Sequence, residues 1–381
     1  MDPEVVSKFL DEQREAAPDH LQQSFLTIED YWDRKLWHQL TDVLVEYFNT
    51  PASAAQRLPL FRHFILSFAE KINQLKFVSL ALLTATQCSD DHERLSFLTD
   101  LTAKVNKASS QDAYVYALVA TSEIKLRLED YAGARKDLDT AESILESFDS
   151  VETEVHAAFY RTNAAYYQAN SDFGAYYKNA LLYLACIDLK TLSLEDAQSR
   201  AHDLSVAALI STSIYNFGEL LLHPILDSLT STPHAWLRDL LFTYNRGDLA
   251  GYQRLEHQIS VSPLLSSHQD FLAQKIALSA LTEAVFRRPP HDRAMTFGTI
   301  AQETNVQPKD IEILIMKALS LGLLKGSIDQ VAGIARINWV QPKVLDMKQI
   351  DSMRGRLRDW DSSVNQLGNW IEGVGKDVWA A

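Results

Sequence analysis

Residues that interrupt helices are scarce in this chain, with 13 glycines and 11 prolines among 381 residues. So few breakers leave room for long helices. Cysteine is scarcer still. Cys88 and Cys186 lie far apart, and two thiols make neither a disulfide framework nor a zinc site. Both sit in apolar helical context, so buried, reduced thiols in a reducing compartment are expected. Long apolar runs are missing, the longest lying near Phe77 to Ala85, too short to span a bilayer. The N-terminus has no basic segment leading into an apolar one, so no signal peptide is expected. The chain therefore reads as soluble and intracellular. Positive charge is in deficit, 36 Lys and Arg against 50 Asp and Glu, for a formal net charge of −14. That balance disfavours nonspecific binding to nucleic acid or anionic membrane.

Signatures of catalysis are missing as well. There is no phosphate-binding glycine loop, no dinucleotide-binding glycine pattern, no serine nucleophile elbow and no HExxH. The 11 histidines are scattered, and no two have the spacing of helical metal ligands. His202 beside Asp203 and His223 before Pro224 read as surface or capping residues. No catalytic residue, cofactor or metal is expected, and the chain does not read as an enzyme.

What is present is helix. From Leu21 to Arg287 apolar periodicity follows the helical period, with no alternating strand pattern. A weak repeat runs through it, carried by the turns Glu129-Asp130-Tyr131, Ser171-Asp172-Phe173, Tyr215-Asn216-Phe217 and Gly247-Asp248-Leu249. The steps from Tyr131 to Phe173, Phe217 and Leu249 are 42, 44 and 32 residues. Arg34-Lys35-Leu36-Trp37 reads as an earlier turn of the same class. Such periods fit stacked helical hairpins of the TPR kind, each leaving an apolar face for its neighbours to cover. Tyr114, Tyr116, Phe159, Tyr160, Tyr166, Tyr167, Tyr176 and Tyr177 then pack between hairpins. Without interleaved bases they make a poor platform for stacked nucleotides.

Past Arg287-Arg288-Pro289-Pro290-His291-Asp292-Arg293, which reads as a linker, the pattern changes. Thr299 to Glu303 is a short helix. Pro308 to Leu321 is a longer one, with proline suited to its first turn and Gly322 suited to its C-terminal stop. Ile311, Leu314, Ile315, Ala318 and Leu319 share one face, and burying the four large ones contributes about 6–12 kcal/mol before entropy is subtracted. Two strands are expected next, Leu323 to Asp329 and Ile334 to Val340, with Ile337 and Trp339 alternating against Arg336 and Asn338. Two helices and a hairpin make a winged helix, a fold that most often reads DNA. Here four bases (Lys309, Lys317, Lys325, Arg336) meet four acids (Glu303, Asp310, Glu312, Asp329). Asp310 and Glu312 occupy the helix end that would face phosphates and would repel them. Ile313 and Met316 lie off the buried face and suit a protein partner, as would a free strand edge along Ile334 to Val340, including Arg336 and Asn338.

Ile315–Val331, reading IMKALSLGLLKGSIDQV, resembles the winged-helix end of a PCI domain. Lys35–Leu40, Glu70–Leu75, Asn216–Pro224 and Trp339–Pro342 extend the resemblance over nearly the whole chain. It points to the PCI subunits of the 26S proteasome lid, of the type called non-ATPase subunit nine in yeast and thirteen in mammals. The resemblance implies a mainly α fold: an N-terminal helical-repeat arm over 1–170, a PCI domain over 171–342 (helical to 290, winged helix from 291) and a C-terminal assembly helix over 343–381. It implies a noncatalytic scaffold, cytoplasmic and nuclear, with no nucleic-acid or membrane partner. Its partners would be other PCI subunits of the lid, the deubiquitinase module, the bundle of C-terminal helices and the ubiquitin receptor. The His-x-His metal motif of the lid protease is missing. PCI scaffolds of the signalosome or of translation initiation factor three are the alternative reading, and a winged-helix nucleic-acid binder is a further one.

The tail carries its own pattern. Met353, Leu357, Trp360, Val364, Leu367, Ile371, Val374 and Val378 step by four and three in alternation, a heptad seam. Gly355, Gly368, Gly373 and Gly375 weaken such a helix by about 1 kcal/mol each. A seam on so marginal a helix is expected either to join partner helices, with Trp360, Val364, Leu367 and Ile371 at its centre, or to pack back on its own chain.

Overall fold

The computed structural model describes residues 3–148, 152–289, 292–342 and 347–379. The chain divides into two compact units, Met1–Leu192 and Ser193–Ala381.

The first unit is built from α1 (Pro3–Ala16), α2 (Asp19–Asp33), α3 (Trp37–Asn49), α4 (Ala54–His63), α5 (Gln74–Ala85), α6 (Asp91–Val105), α7 (Gln111–Arg127), α8 (Tyr131–Leu145), α9 (Thr153–Ala169) and α10 (Phe173–Cys186). Most of these helices pack on their successor, and α7 also packs on α5 and on α9. Trp32, Trp37, Phe64 and Phe68 form one aromatic cluster, with ring centroids 5.1–5.6 Å apart. Phe159, Tyr176 and Tyr177 are buried, and Tyr114, Tyr116, Tyr160 and Tyr166 pack partly buried against the same cores. Packing between helices is thus the use of these rings. Cys88 is buried as expected, but Cys186, at the last turn of α10, is only half-buried. Burial pushes both thiols up from their ordinary pKa.

The recurring turns have a common construction. Lys35, Glu129, Ser171 and Gly247 are left-handed, with φ of 56, 62, 59 and 64°. The N–H that follows each one closes back on a carbonyl five residues earlier, Leu36 on Tyr31, Asp130 on Lys125, Asp172 on Tyr167 and Asp248 on Thr243, at 2.9–3.1 Å. The carboxylates of Asp130, Asp172 and Asp248 then accept from the N–H three residues on, at 3.0–3.1 Å. Two residues thus terminate one helix and start the next. Tyr215-Asn216-Phe217 is built differently. It contains no left-handed residue, and Asn216 Oδ1 accepts from Gly218 N at 3.0 Å. The apparent 44-residue step therefore does not mark a repeat of the same turn.

The second unit opens with α11 (Leu194–Ile210), α12 (Gly218–Leu222), α13 (Ala235–Arg246), α14 (Leu249–Val261), α15 (Pro263–Ser266) and α16 (Gln269–Arg287). Gly247 joins α13 to α14, and a Cβ there would stand 2.7 Å from Ala280 Cα of α16. The winged helix follows as β1 (Ala294–Thr296), α17 (Phe297–Thr304), a short 3-10 turn at Pro308–Asp310, α18 (Ile311–Ser320), β2 (Leu324–Asp329) and β3 (Ile334–Val340). Of the expected α18 face Ile311, Leu314, Ile315 and Ala318 are buried while Leu319, at its end, is only half-buried, and Gly322 is left-handed at φ 68°. Leu278, Leu281 and Val285 of α16 belong to the same apolar core, so the helix before the Arg-Pro stretch is part of the winged helix's support. In that stretch Arg287 pairs with Glu283 at 3.1 Å and Arg288 with Asp292 at 3.8 Å, while Pro290 and His291 lie outside the described residues. Last comes α19 (Met347–Trp379), 33 residues long.

Among the described residues no helix is long and apolar enough to cross a membrane, and no group of three or more His, Cys, Asp or Glu is placed to hold a metal ion.

Candidate protein-interaction surfaces

The sheet corrects one expectation. Its order is β1-β3-β2, both pairings antiparallel. β3 is central: Ile334, Ala335 and Arg336 pair with Thr296, Met295 and Ala294 on one side and with β2 on the other. The free edge expected along Ile334 to Val340 is therefore taken up at Ile334–Arg336. β2 and the three-residue β1 are the outer strands. Arg336 and Asn338 still expose their side chains, and Ile334 and Val340 are half-buried. Trp339 was expected on the buried side with Ile337. It is instead exposed, because the register shifts between Lys325 and Gly326 and turns the end of the ladder outward. The Lys325 ammonium lies 4.8 Å from its ring centroid.

On α18 the two residues singled out for partner contact stand in water, Ile313 at 56% and Met316 at 48% relative exposure. Glu312 beside them accepts from Gln330 Nε2 at 3.0 Å, which ties the helix to the turn between β2 and β3. Lys317 Nζ donates to Gln274 Oε1 of α16. Asp310 and Glu312 lie at the N-terminal end of α18, beside Lys309.

The C-terminal helix is the second surface. At 1.5 Å per residue its 33 residues span about 50 Å. Met353, Leu357, Trp360, Val364, Leu367 and Ile371 are all exposed, and Ile350 and Trp370 stand in water with them. The seam thus does not pack back on its own chain over these positions. Val374 and Val378 lie outside the residues whose side chains are described. A Cβ at Gly355, Gly368 or Gly373 would meet nothing within 4 Å apart from the adjoining residues and backbone of its own helix. Arg356 touches the fold, its guanidinium 6.0 Å from the Phe286 ring.

Lys275 is a group that sequence reading missed. It lies on α16 with only 1% of its surface exposed. Its Nζ donates to the carbonyls of Ala208, Leu209 and Ser211 at 2.8, 3.0 and 2.7 Å, at the open end of α11. The rings of Tyr215, Phe217 and Phe271 surround it at 5.2–5.6 Å. Burial pushes its pKa down to about 7, against the pull of three carbonyls that together use every N–H of the ammonium. The signal available in sequence was a lone lysine inside the apolar run of α16. The two histidines noted from sequence have local partners: His223 Nδ1 accepts from Ile225 N at 3.2 Å, a cap, and His202 Nδ1 lies 3.1 Å from Asp203 Oδ1.

Comparison with known proteins resolves which family builds these surfaces. The model described as PSD13 N-terminal repeats matches residues 24–241, the PCI domain 243–339, and the Rpn9 C-terminal helix 343–375. The chain is 45% identical over 381 residues to the probable 26S proteasome regulatory subunit rpn9 of Schizosaccharomyces pombe, covering 99% of this chain and 100% of that protein. The chain belongs to the Rpn9/PSD13 family. It is 37% identical over 380 residues to 26S proteasome regulatory subunit RPN9 of Saccharomyces cerevisiae, with 96% of each chain covered. A more distant likeness, 25% over 207 residues, links 53% of the chain to 43% of eukaryotic translation initiation factor 3 subunit M of Aspergillus clavatus. In Rpn9/PSD13 terms, the PCI match contains the α18 surface, β1, β2 and β3 as far as Trp339, and the Rpn9 C-terminal helix match contains the exposed seam through Ile371.

Proposed function

We propose that this chain is a noncatalytic subunit of the 26S proteasome lid, working by holding other subunits in place. The observation that carries the reading is the exposed seam of α19. Six large apolar side chains of the seam, Met353, Leu357, Trp360, Val364, Leu367 and Ile371, stand in water along one helix. Covering the exposed half of Trp360, Val364, Leu367 and Ile371 with partner helices would contribute about 3–6 kcal/mol before ordering costs. End-to-end likeness to 26S proteasome regulatory subunits supports which assembly supplies those helices.

In this reading α19 joins a bundle of C-terminal helices. The winged helix meets a neighbouring PCI subunit through Ile313 and Met316, with Arg336, Asn338 and the half-buried Ile334 and Val340 as further contact candidates. The open edge for strand addition is β2 rather than β3. The partners proposed are the other PCI subunits, the lid deubiquitinase module and, near the helical arm, the ubiquitin receptor. The chain would act in cytoplasm and nucleus, with no catalytic residue of its own.

Affinity purification of the tagged chain from its own cells tests the proposal. Recovery with the proteasomal ATPases is the expected result. Recovery with a ribosomal small subunit would favour the initiation-factor likeness instead, and recovery with the signalosome would also overturn the reading.

A further inference from the structure

From Asp351 to Gly373 every described residue of α19 except Arg356 is exposed, so the helix stands free of the fold over this length. Its charges are sorted along it. Between Ile350 and Arg358 stand three bases, Arg354, Arg356 and Arg358, with one acid, Asp351. Between Asp359 and Gly373 stand Asp359, Asp361 and Glu372 with no base, and beyond them Lys376 and Asp377 cancel. The seam is also symmetric. Reversing the helix about a point between Val364 and Leu367 exchanges those two residues and carries Trp360 onto Ile371 and Leu357 onto position 374.

We propose that the free chain pairs with a second copy of itself through α19, the two helices antiparallel about a two-fold axis between Val364 and Leu367. Each layer of the pair then sets one seam residue of one copy against a different one of the other, as a self-complementary two-fold interface requires. Trp360 meets Ile371 of the second copy beside Gly368, where no Cβ crowds the indole. The orientation places Arg354, Arg356 and Arg358 of each helix at the level of the turn that carries Glu372 in the other. Parallel helices would set arginine against arginine. Antiparallel helices also keep the two folds apart. Each chain enters α19 at Met347, so the folds lie at opposite ends of helices about 50 Å long, and a parallel pair would crowd them at one end. The large apolar residues of the seam from Ile350 to Ile371, with Trp370 beside it, are 40–67% exposed. Pairing would cover on the order of 600–800 Å² per copy, slightly below the roughly 800 Å² per partner of stable complexes. The dimer is therefore weak, with Kd about 10–100 µM, and dilute chain stays monomeric. Helices of other subunits that cover the seam exclude it. The pairing does not depend on which assembly supplies those helices, so its failure would leave the assembly reading standing.

Sedimentation equilibrium of the purified full-length chain tests the proposal. The average mass should be that of the monomer at about 1 µM and approach twice that value at about 300 µM. L367D should weaken pairing about ten-fold or more. R354E with R358E leaves both halves of the helix acidic and should weaken it about ten-fold, with helix content by circular dichroism unchanged. Adding D361K with E372K to that variant reverses the order of the charges and should restore pairing. A monomeric mass at every concentration would overturn the proposal. So would pairing that L367D leaves unchanged, which would place it on another surface, or pairing that the added lysines fail to restore.

Discussion

Replacing Lys275 by Met should unfasten the end of α11. Methionine keeps the unbranched stem and the contacts with Tyr215, Phe217 and Phe271 but removes every donor. The carbonyls of Ala208, Leu209 and Ser211 then lose the partner they share. An unpaired buried acceptor costs about 1–3 kcal/mol, so three cost about 3 kcal/mol even at the low end. Removing a buried amine returns part of this, because desolvating it was itself unfavourable. The expected net loss is about 2–4 kcal/mol. For a unit of this size each kcal/mol moves the melting temperature by about 2–4 °C. Urea unfolding, with hydrogen exchange followed over Ser211–Phe217, measures it. Exchange in that segment should accelerate before the rest of the second unit opens. A K275M chain as stable as the wild type, with unchanged exchange there, would refute the idea that the lysine fastens this end of the helix.

Other outcomes follow from the turns and the winged helix. Glu129→Gly and Ser171→Gly relieve a left-handed backbone that costs about 1–2 kcal/mol for a residue with a Cβ, and after glycine's own entropy cost each should raise stability by up to about 1 kcal/mol in thermal melts. Gly247→Ala should do the opposite, losing about 3 kcal/mol or more, because its Cβ meets the backbone of Ala280 in addition to the same φ. Ile313→Asp with Met316→Asp should leave the melting temperature within about 2 °C, since both side chains are exposed, and lower recovery in the purified assembly. In filter binding the wild type should not retain duplex DNA at physiological salt. Tight retention abolished by charge reversal of Lys317 and Lys325 would show a nucleic-acid face after all.

The winged helix was legible because its signals are local. Five apolar residues on one face of α18, Pro308 before it and Gly322 after it need no tertiary information. β1 was not legible, because Ala294–Thr296 is too short to show alternation, and missing it made β3 look like an edge. The exposure of Trp339 escaped for a related reason. The register shift that displaces it depends on how two strands meet, which a strict alternation rule does not contain. In the helical part, the Glu-Asp, Ser-Asp and Gly-Asp turns were found by composition. Their common left-handed residue and Asp cap separate them from Tyr215-Asn216-Phe217, which shares the look but not the geometry. The seam of α19 was plain from spacing, yet spacing says nothing about what covers it. Lys275 escaped because a buried amine is recognisable only once its carbonyl acceptors, 64 to 67 residues away in sequence, come to it.

Leu367→Asp tests most directly whether α19 serves assembly. Leu367 is 56% exposed on the free chain, so a carboxylate there stays hydrated and its folding cost should be small. Inside a bundle the same carboxylate would be buried without a partner, which is costly. The measurement compares thermal melting of the free chain with its recovery in the purified proteasome. An unchanged melt with lost recovery is expected. A lowered melting temperature with normal recovery would mean that the seam supports its own fold and that the chain is held in the assembly by other means.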